Sequence, residues 1–196
     1  MNIVFDVGNV LLRWEPEAAF REVFDSDEET RRFFDAADFF AWNFEQDKGR
    51  TLEEAIAAAA PAHRAALTAY GQNFGLTIRD KITESWALME RLRAGGHRIF
   101  AITNFSAELW PVALRLHPQL GEVFEDVIVS GEHRMWKPQR AIFDLLCARN
   151  GLKAQECVFI DDSLPNAEGA EAAGWMSHHF TTPEMFRQRL LEWKLI

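Results

Sequence analysis

An α/β fold, with a parallel sheet and one inserted block of helices, is what this sequence predicts, and three observations carry the prediction. The first is the opening stretch Asn2-Ile3-Val4-Phe5-Asp6, a short apolar run that stops at a carboxylate and passes into Val7-Gly8-Asn9. Such a run reads as a buried parallel strand that presents its last polar residue where open α/β sheets place their ligands. The second is repetition: Arg98–Ile102, Val127–Val129 and Cys157–Ile160 are further apolar runs, each followed by polar residues and then a helical pattern. The third is an interruption, because residues from about Trp14 to about Thr77 read as helix almost throughout and contain no convincing strand.

In chain order, Pro16 suits a first helical turn, and Ser26 with Glu29 and Thr51 with Glu54 match the capping-box spacing of a helix start. Phe33, Phe34, Phe39, Phe40, Trp42 and Phe44 crowd one segment. The spacing of Phe33, Phe40 and Phe44 suits one helical face, so most of these rings are expected in a local core, with Trp42 or Phe44 free to face a cleft. Ala55–Ala60 is a strong helix former interrupted at Pro61, and Gly71 and Gly75 punctuate its exit. This helical block is expected to pack over the edge of the sheet as a cap.

From Arg79 the alternation becomes regular. Ile82, Trp86, Met89 and Leu92 form the apolar stripe of a helix ending at Gly95-Gly96, and the next strand finishes in Thr103-Asn104. Ser106 is expected to cap the following helix, which Pro118 closes. Val127–Val129 leads to Lys137-Pro138 and to a helix bearing Ile142, Phe143, Leu145 and Leu146. Cys157–Ile160 ends in Asp161-Asp162, Ser163 caps a small-residue helix, and a short strand near Trp175 precedes a helix from Pro183 to Trp193. Repeated βα units imply a parallel sheet with helices on both faces.

Composition narrows the function classes. Of 196 residues 48% are hydrophobic and 26% charged, enough for one sizeable core. The net charge of -9 is spread along the chain, which argues against nucleic acid or an anionic membrane as partner, since both reward basic patches. No apolar stretch is long enough to span a bilayer and no signal-peptide pattern follows Met1, so the expected location is the cytoplasm. Cys147 and Cys157 read as core residues, and His178-His179 as one inward and one outward side chain.

Asp6, Thr103, Lys137 and Asp162 each have an ordinary explanation as strand-end or cap residues. Their coincidence on one edge of a parallel sheet gathers a carboxylate, a hydroxyl, an ammonium and a carboxylate pair into one crevice. That set suits phosphoryl transfer. Mg²⁺ wants oxygen ligands, which Asp6, Asp162 and a backbone carbonyl supply, while Lys137 and Thr103 meet the remaining phosphate charge. Asp6 is placed to attack phosphorus and form an aspartyl-phosphate.

Phe5-Asp6-Val7-Gly8-Asn9-Val10, Ile102-Thr103-Asn104, Lys137-Pro138 and Phe159-Ile160-Asp161-Asp162-Ser163, in that order and with helices inserted after the first, resemble the motifs of the haloacid dehalogenase (HAD) superfamily. The resemblance covers essentially the whole chain. It implies a Rossmann-like core formed by residues 1–13 and 79–196 and a helical cap formed by residues 14–78. It also implies Asp6 as nucleophile, Thr103, Asn104 and Lys137 on the phosphate, and Mg²⁺ held by Asp6, the Gly8 carbonyl and Asp162, with Asp161 beside it. The implied activity is hydrolysis of a small phosphorylated metabolite. The first motif is most similar to a branch carrying DxGN, whose members resemble sugar-1-phosphatases acting on α-glucose 1-phosphate.

One position departs from the pattern. Phosphatases of the superfamily carry a second aspartate two residues after the nucleophile, as general acid and base, and here that position is Gly8. Losing a positioned acid/base costs about 10²- to 10⁴-fold in rate unless the leaving group is good or another group substitutes. Candidates are Asp47, Glu45 or the substrate itself. The same gap leaves two rival readings. A metal-independent 2-haloacid dehalogenase also lacks that aspartate, but Asp161 and Asp162 beside an anionic substrate are electrostatically poor without a cation. A HAD-like binding module without turnover is the other.

Overall fold

A computed structural model describes residues 1–196. Five strands, β1 (Asn2–Phe5), β2 (Arg98–Thr103), β3 (Val127–Val129), β4 (Cys157–Asp161) and β5 (Met176–His179), form one sheet in the order β3-β2-β1-β4-β5, and every pairing is parallel. The ten α-helices are α1 (Asp27–Ala37), α2 (Phe39–Asp47), α3 (Leu52–Ala58), α4 (Arg64–Thr77), α5 (Thr83–Ala94), α6 (Trp110–Leu116), α7 (Ser130–His133), α8 (Arg140–Asn150), α9 (Leu164–Ala172) and α10 (Pro183–Glu192).

β1 is central, and all four of its residues are buried because helices cover both faces. Its side chains alternate: Ile3 and Phe5 join Leu88, Met89, Leu92, Phe186 and Leu190 of α5 and α10, whereas Val4 joins Ile142, Phe143 and Leu146 of α8. A strand covered on both sides must be apolar at successive positions, which is why it reads as a run and not as an alternation. The carboxyl ends of β1, β2 and β4 therefore open onto one edge.

Between β1 and α5 the chain forms only helices and turns, and these build a core of their own. Phe20, fully buried, sits among Phe24, Phe33, Phe34, Phe39 and Tyr70 with ring centroids 5.3 to 6.1 Å apart. Burying a side chain of this size contributes about 1.5–3 kcal/mol each. The same cluster extends through Phe74, Leu109, Trp110 and Ala113, tying the block to α6.

Several local expectations need correction. Phe33, Phe40 and Phe44 do not share a face, because Asp38 at φ 46° ends α1 and restarts the helix as α2. The break shifts the phase, so Phe39 is fully buried whereas Phe40 is 56% exposed. Trp42 faces this core, not a cleft, and donates its indole N–H to the Ala55 carbonyl at 3.1 Å. Gly71 and Gly75 lie inside α4 instead of marking its exit, each facing a leucine of a neighbouring element, Leu52 and Leu116, at a distance where a side chain would crowd. Thr51 and Glu54 form a reciprocal capping box, while Glu29 accepts from the Asp25 amide in place of the Ser26 amide. Ser106 caps nothing: α6 starts only at Trp110. Nor does the Ser163 hydroxyl cap α9; the Asp161 carboxylate accepts the Ser163 amide at 2.8 Å.

Candidate active site

Asp6 directly follows β1, Thr103 and Asp161 are the last residues of β2 and β4, and Lys137 lies in the segment between α7 and α8. The sheet register brings them together, since Phe5 pairs with both Ala101 and Ile160. The Lys137 ammonium, with no exposed surface, lies 2.9 Å from Asp6 Oδ1 and 2.6 Å from Asp161 Oδ2. Carboxylate oxygens of Asp6, Asp161 and Asp162 all lie within 4.8 Å of one another.

The electrostatics follow from three carboxylates sharing one lysine. Burial, and then the charges of Asp161 and Asp162, push Asp6 up to about 7 despite the opposing pull of Lys137. Burial also raises Asp162, helped by Asp161 and opposed by a hydrogen bond from Asn9. Burial works against the Lys137 ammonium, yet Asp161 and Asp6 hold its pKa above the ordinary lysine value. The cluster thus carries an excess of negative charge in a poorly solvated place. A hard divalent cation with oxygen ligands fits that donor set, and Asp6 and Asp162 are the residues with oxygens to offer.

Asp161 is the least available of the three. It is fully buried, and its oxygens accept from Lys137, the Ser163 amide and the Asn166 amide group at 2.6 to 3.2 Å. Asn104 is engaged in the same way: its side chain accepts from the Lys137 amide at 2.9 Å and donates to the Lys137 carbonyl at 3.1 Å, so it holds the lysine segment in place. Thr103 is buried and does not line the cavity described next.

A cavity of about 170 Å³ opens above this edge. One wall is made by Asp6, Gly8, Asn9, Asn104 and Asp162 of the sheet edge. The other comes from the helical block, with Trp14, Asn43, Asp47, Tyr70 and Phe74, completed by Phe105, Ser106 and Leu109. No arginine, lysine or histidine lines it. A Cβ added at Gly8 would meet nothing within 4 Å, so the space that a side chain would fill there is open. Glu45 pairs with Lys48 at 2.5 Å, outside the cavity.

Sequence reasoning missed the residues that support this wall. Asn9 donates to Asp162 at 3.2 Å, and Ser130 donates to the Asp47 carbonyl at 2.6 Å and accepts from the Phe105 amide at 2.9 Å. Tyr70 is the only tyrosine of the chain, and its buried hydroxyl has no hydrogen-bond partner; nor does that of Ser106. Asn166, a polar residue one turn into a small-residue helix directly after Asp161-Asp162, was the most readable of them.

The phosphoglycolate phosphatase of Nitrosospira multiformis is 34% identical over 96 residues, 48% of this chain and 40% of that protein. A sesquiterpene phosphatase of Aspergillus oryzae is 25% identical over 95 residues, 48% of each chain. The matching segment thus spans less than half the length of these curated relatives. Among solved structures, the HAD family enzyme bt-2542 of Bacteroides thetaiotaomicron shares the fold with a TM-score of 0.73 at 21% identity, over 92% of this chain and 93% of that one. Its wild-type protein in complex with magnesium and inorganic phosphate superposes with a TM-score of 0.70 at 22% identity, over 92% and 94%. A family model described as haloacid dehalogenase-like hydrolase matches residues 1–174. Because that match takes in every strand end that builds the carboxylate cluster, the chain belongs to the haloacid dehalogenase-like hydrolases.

Proposed function

We propose that this protein is a Mg²⁺-dependent phosphomonoester hydrolase of small metabolites that works through an aspartyl-phosphate on Asp6. The observation that carries the reading is the cluster itself: Asp6 within 2.9 Å of a fully buried Lys137, with Asp162 nearby, at the floor of a small cavity. Asp6 attacks phosphorus, Lys137 stabilises charge on the phosphoryl oxygens, and the helical block of residues 14–78 serves as the cap over the reacting group. Thr103 and Asn104 contribute from beneath, Asn104 by holding the Lys137 backbone. Asp6, the Gly8 carbonyl and Asp162, with Asp161 beside them, would hold Mg²⁺, which would supply positive charge to keep Asp6 ionised and to polarise the phosphate. Magnesium and phosphate bound in bt-2542, and the phosphatase relatives, support this assignment.

For the substrate we favour a sugar phosphate of the glucose 1-phosphate kind. The walls combine aromatic rings with Asn43 and the unpartnered hydroxyls of Tyr70 and Ser106, which suits a neutral, hydroxylated leaving group. The phosphoglycolate of the relatives' names leaves as a carboxylate-bearing alcohol, and this cavity offers no cation to receive it. The 2-haloacid dehalogenase reading is disfavoured by the surplus of carboxylate over ammonium in the cluster, which needs a cation.

The test is a panel of phosphorylated metabolites with Mg²⁺. Phosphate release that stops with EDTA, and that falls by at least about 10⁴-fold in Asp6→Asn, is expected. Metal-independent halide release from 2-chloropropionate, or tight Mg²⁺ binding with no turnover on the panel, would overturn the assignment.

A further inference from the structure

Gly8 removes the residue that ordinarily moves the proton, and the structure shows what stands across the cavity from it. α2 places Phe39 and Trp42 in the aromatic core, and this orientation sends Asn43 and Asp47, one turn apart, into the cavity wall. The backbone at Asp47 is held there by α7. The Asp47 carbonyl accepts the Ser130 hydroxyl at 2.6 Å, and Gly131 lets the core backbone approach so closely that an added Cβ would lie 3.2 Å from the Gln46 carbonyl and 2.7 Å from the Ala107 amide. Its carboxyl has no hydrogen-bond or ion-pair partner in the protein, in contrast to Glu45 two residues earlier.

Resting on the phosphatase reading, we propose that Asp47 is the acid and base of this enzyme, supplied by the helical block into the space that Gly8 leaves open. In the first step Asp6 Oδ bonds to phosphorus, the bond from phosphorus to the leaving oxygen breaks, and that oxygen takes the Asp47 proton. In the second, water bonds to phosphorus as its proton passes to the Asp47 carboxylate, the bond to Asp6 breaks, and phosphate leaves with both aspartates restored. The carboxyl is suited to hold that proton, since burial and the negative charge of Asp6 push it up to about 8 against the pull of Lys137.

The proposal is tested with Mg²⁺-loaded wild type, Asp47→Asn and the double variant Asp47→Asn/Gly8→Asp, on p-nitrophenyl phosphate and on a sugar 6-phosphate. Asp47→Asn should lose about 10²- to 10⁴-fold in steady-state phosphate release on both. With p-nitrophenyl phosphate, whose leaving group needs no proton, it should still release a rapid burst of about one nitrophenol per enzyme, because the aspartyl-phosphate forms but is not hydrolysed. Gly8→Asp, which has open space to enter, should return turnover to the double variant by about 10-fold or more. A variant within about threefold of wild type, or a loss with neither burst nor recovery, would overturn the role of Asp47. A wild type that hydrolyses neither these two compounds nor any member of the phosphorylated-metabolite panel, glucose 1-phosphate included, would instead overturn the phosphatase reading, and the role of Asp47 with it.

Discussion

The two walls of the cavity are built on opposite terms. At the sheet edge the polar groups are committed to one another: Lys137 to Asp6 and Asp161, Asp161 to Asn166 and the Ser163 amide, Asn104 to the Lys137 backbone, Asn9 to Asp162. Across from it, the wall from the helical block and its neighbour presents polar groups with no partner: the buried hydroxyls of Tyr70 and Ser106, and the half-buried carboxyl of Asp47. Unpaired buried polar groups cost stability, so a wall that keeps them is tolerated where a ligand can complete them. The first wall is a fixed floor of mutually paired groups, and the second leaves polar groups open to a ligand, which under the proposed phosphatase reading is the leaving group.

Removing the lysine is the strongest way to break this contrast. Lys137→Ala leaves two buried carboxylates without their cation, and should cost about 3–5 kcal/mol in denaturant unfolding together with all phosphate release. Phe20→Ala empties the centre of the aromatic core, and should cost about 3–4 kcal/mol, read by the same unfolding curves. Because Phe20 touches the second wall only through Tyr70 and its neighbours, Mg²⁺ affinity measured by calorimetry should change little.

Asp47→Asn sharpens the comparison in the opposite direction. In the metal-free folded protein Asp47 is pushed up to about 8, so between about 4 and about 8 the folded state holds a proton that the unfolded chain has released. Stability from this group is therefore present at acid pH and lost as pH rises through that window. The asparagine variant should not lose it, and its melting temperature should exceed that of wild type by more at pH 8 than at pH 5. Equal melting profiles from pH 5 to 8 would show that the carboxyl is not held neutral. An inactive variant that is also more stable is what a functional group placed at a cost to the fold produces.

The two walls also differ in how far they could be read from the chain. Asp6, Lys137, Asp161 and Asp162 are legible because each stands at or near the end of an apolar run, and parallel pairing brings the ends of such runs to one edge whatever the details of packing. The second wall was not legible in this way. The spacing of Phe33, Phe40 and Phe44 presumes one continuous helix, and the left-handed residue Asp38 resets the phase between α1 and α2. An error of one residue there moves a side chain about 100° around the helix, enough to exchange core for cavity. Asp47 could be named as a candidate beside Glu45, but nothing in their spacing chooses between them.

What the linear order of residues established, then, was the family, the parallel sheet and the carboxylate floor, since these depend on local runs of apolar residues and on where they stop. The opposing wall was decided by contacts distant in sequence. Ser130 holding the Asp47 carbonyl across 83 residues, Gly131 admitting the backbone of α2, and Phe20 locking Tyr70 against Phe39 set the rotation of α2 and α4 over the sheet. Local periodicity states that a helix has a buried face. Which of its remaining residues look into the cavity follows only when that face has found its partner.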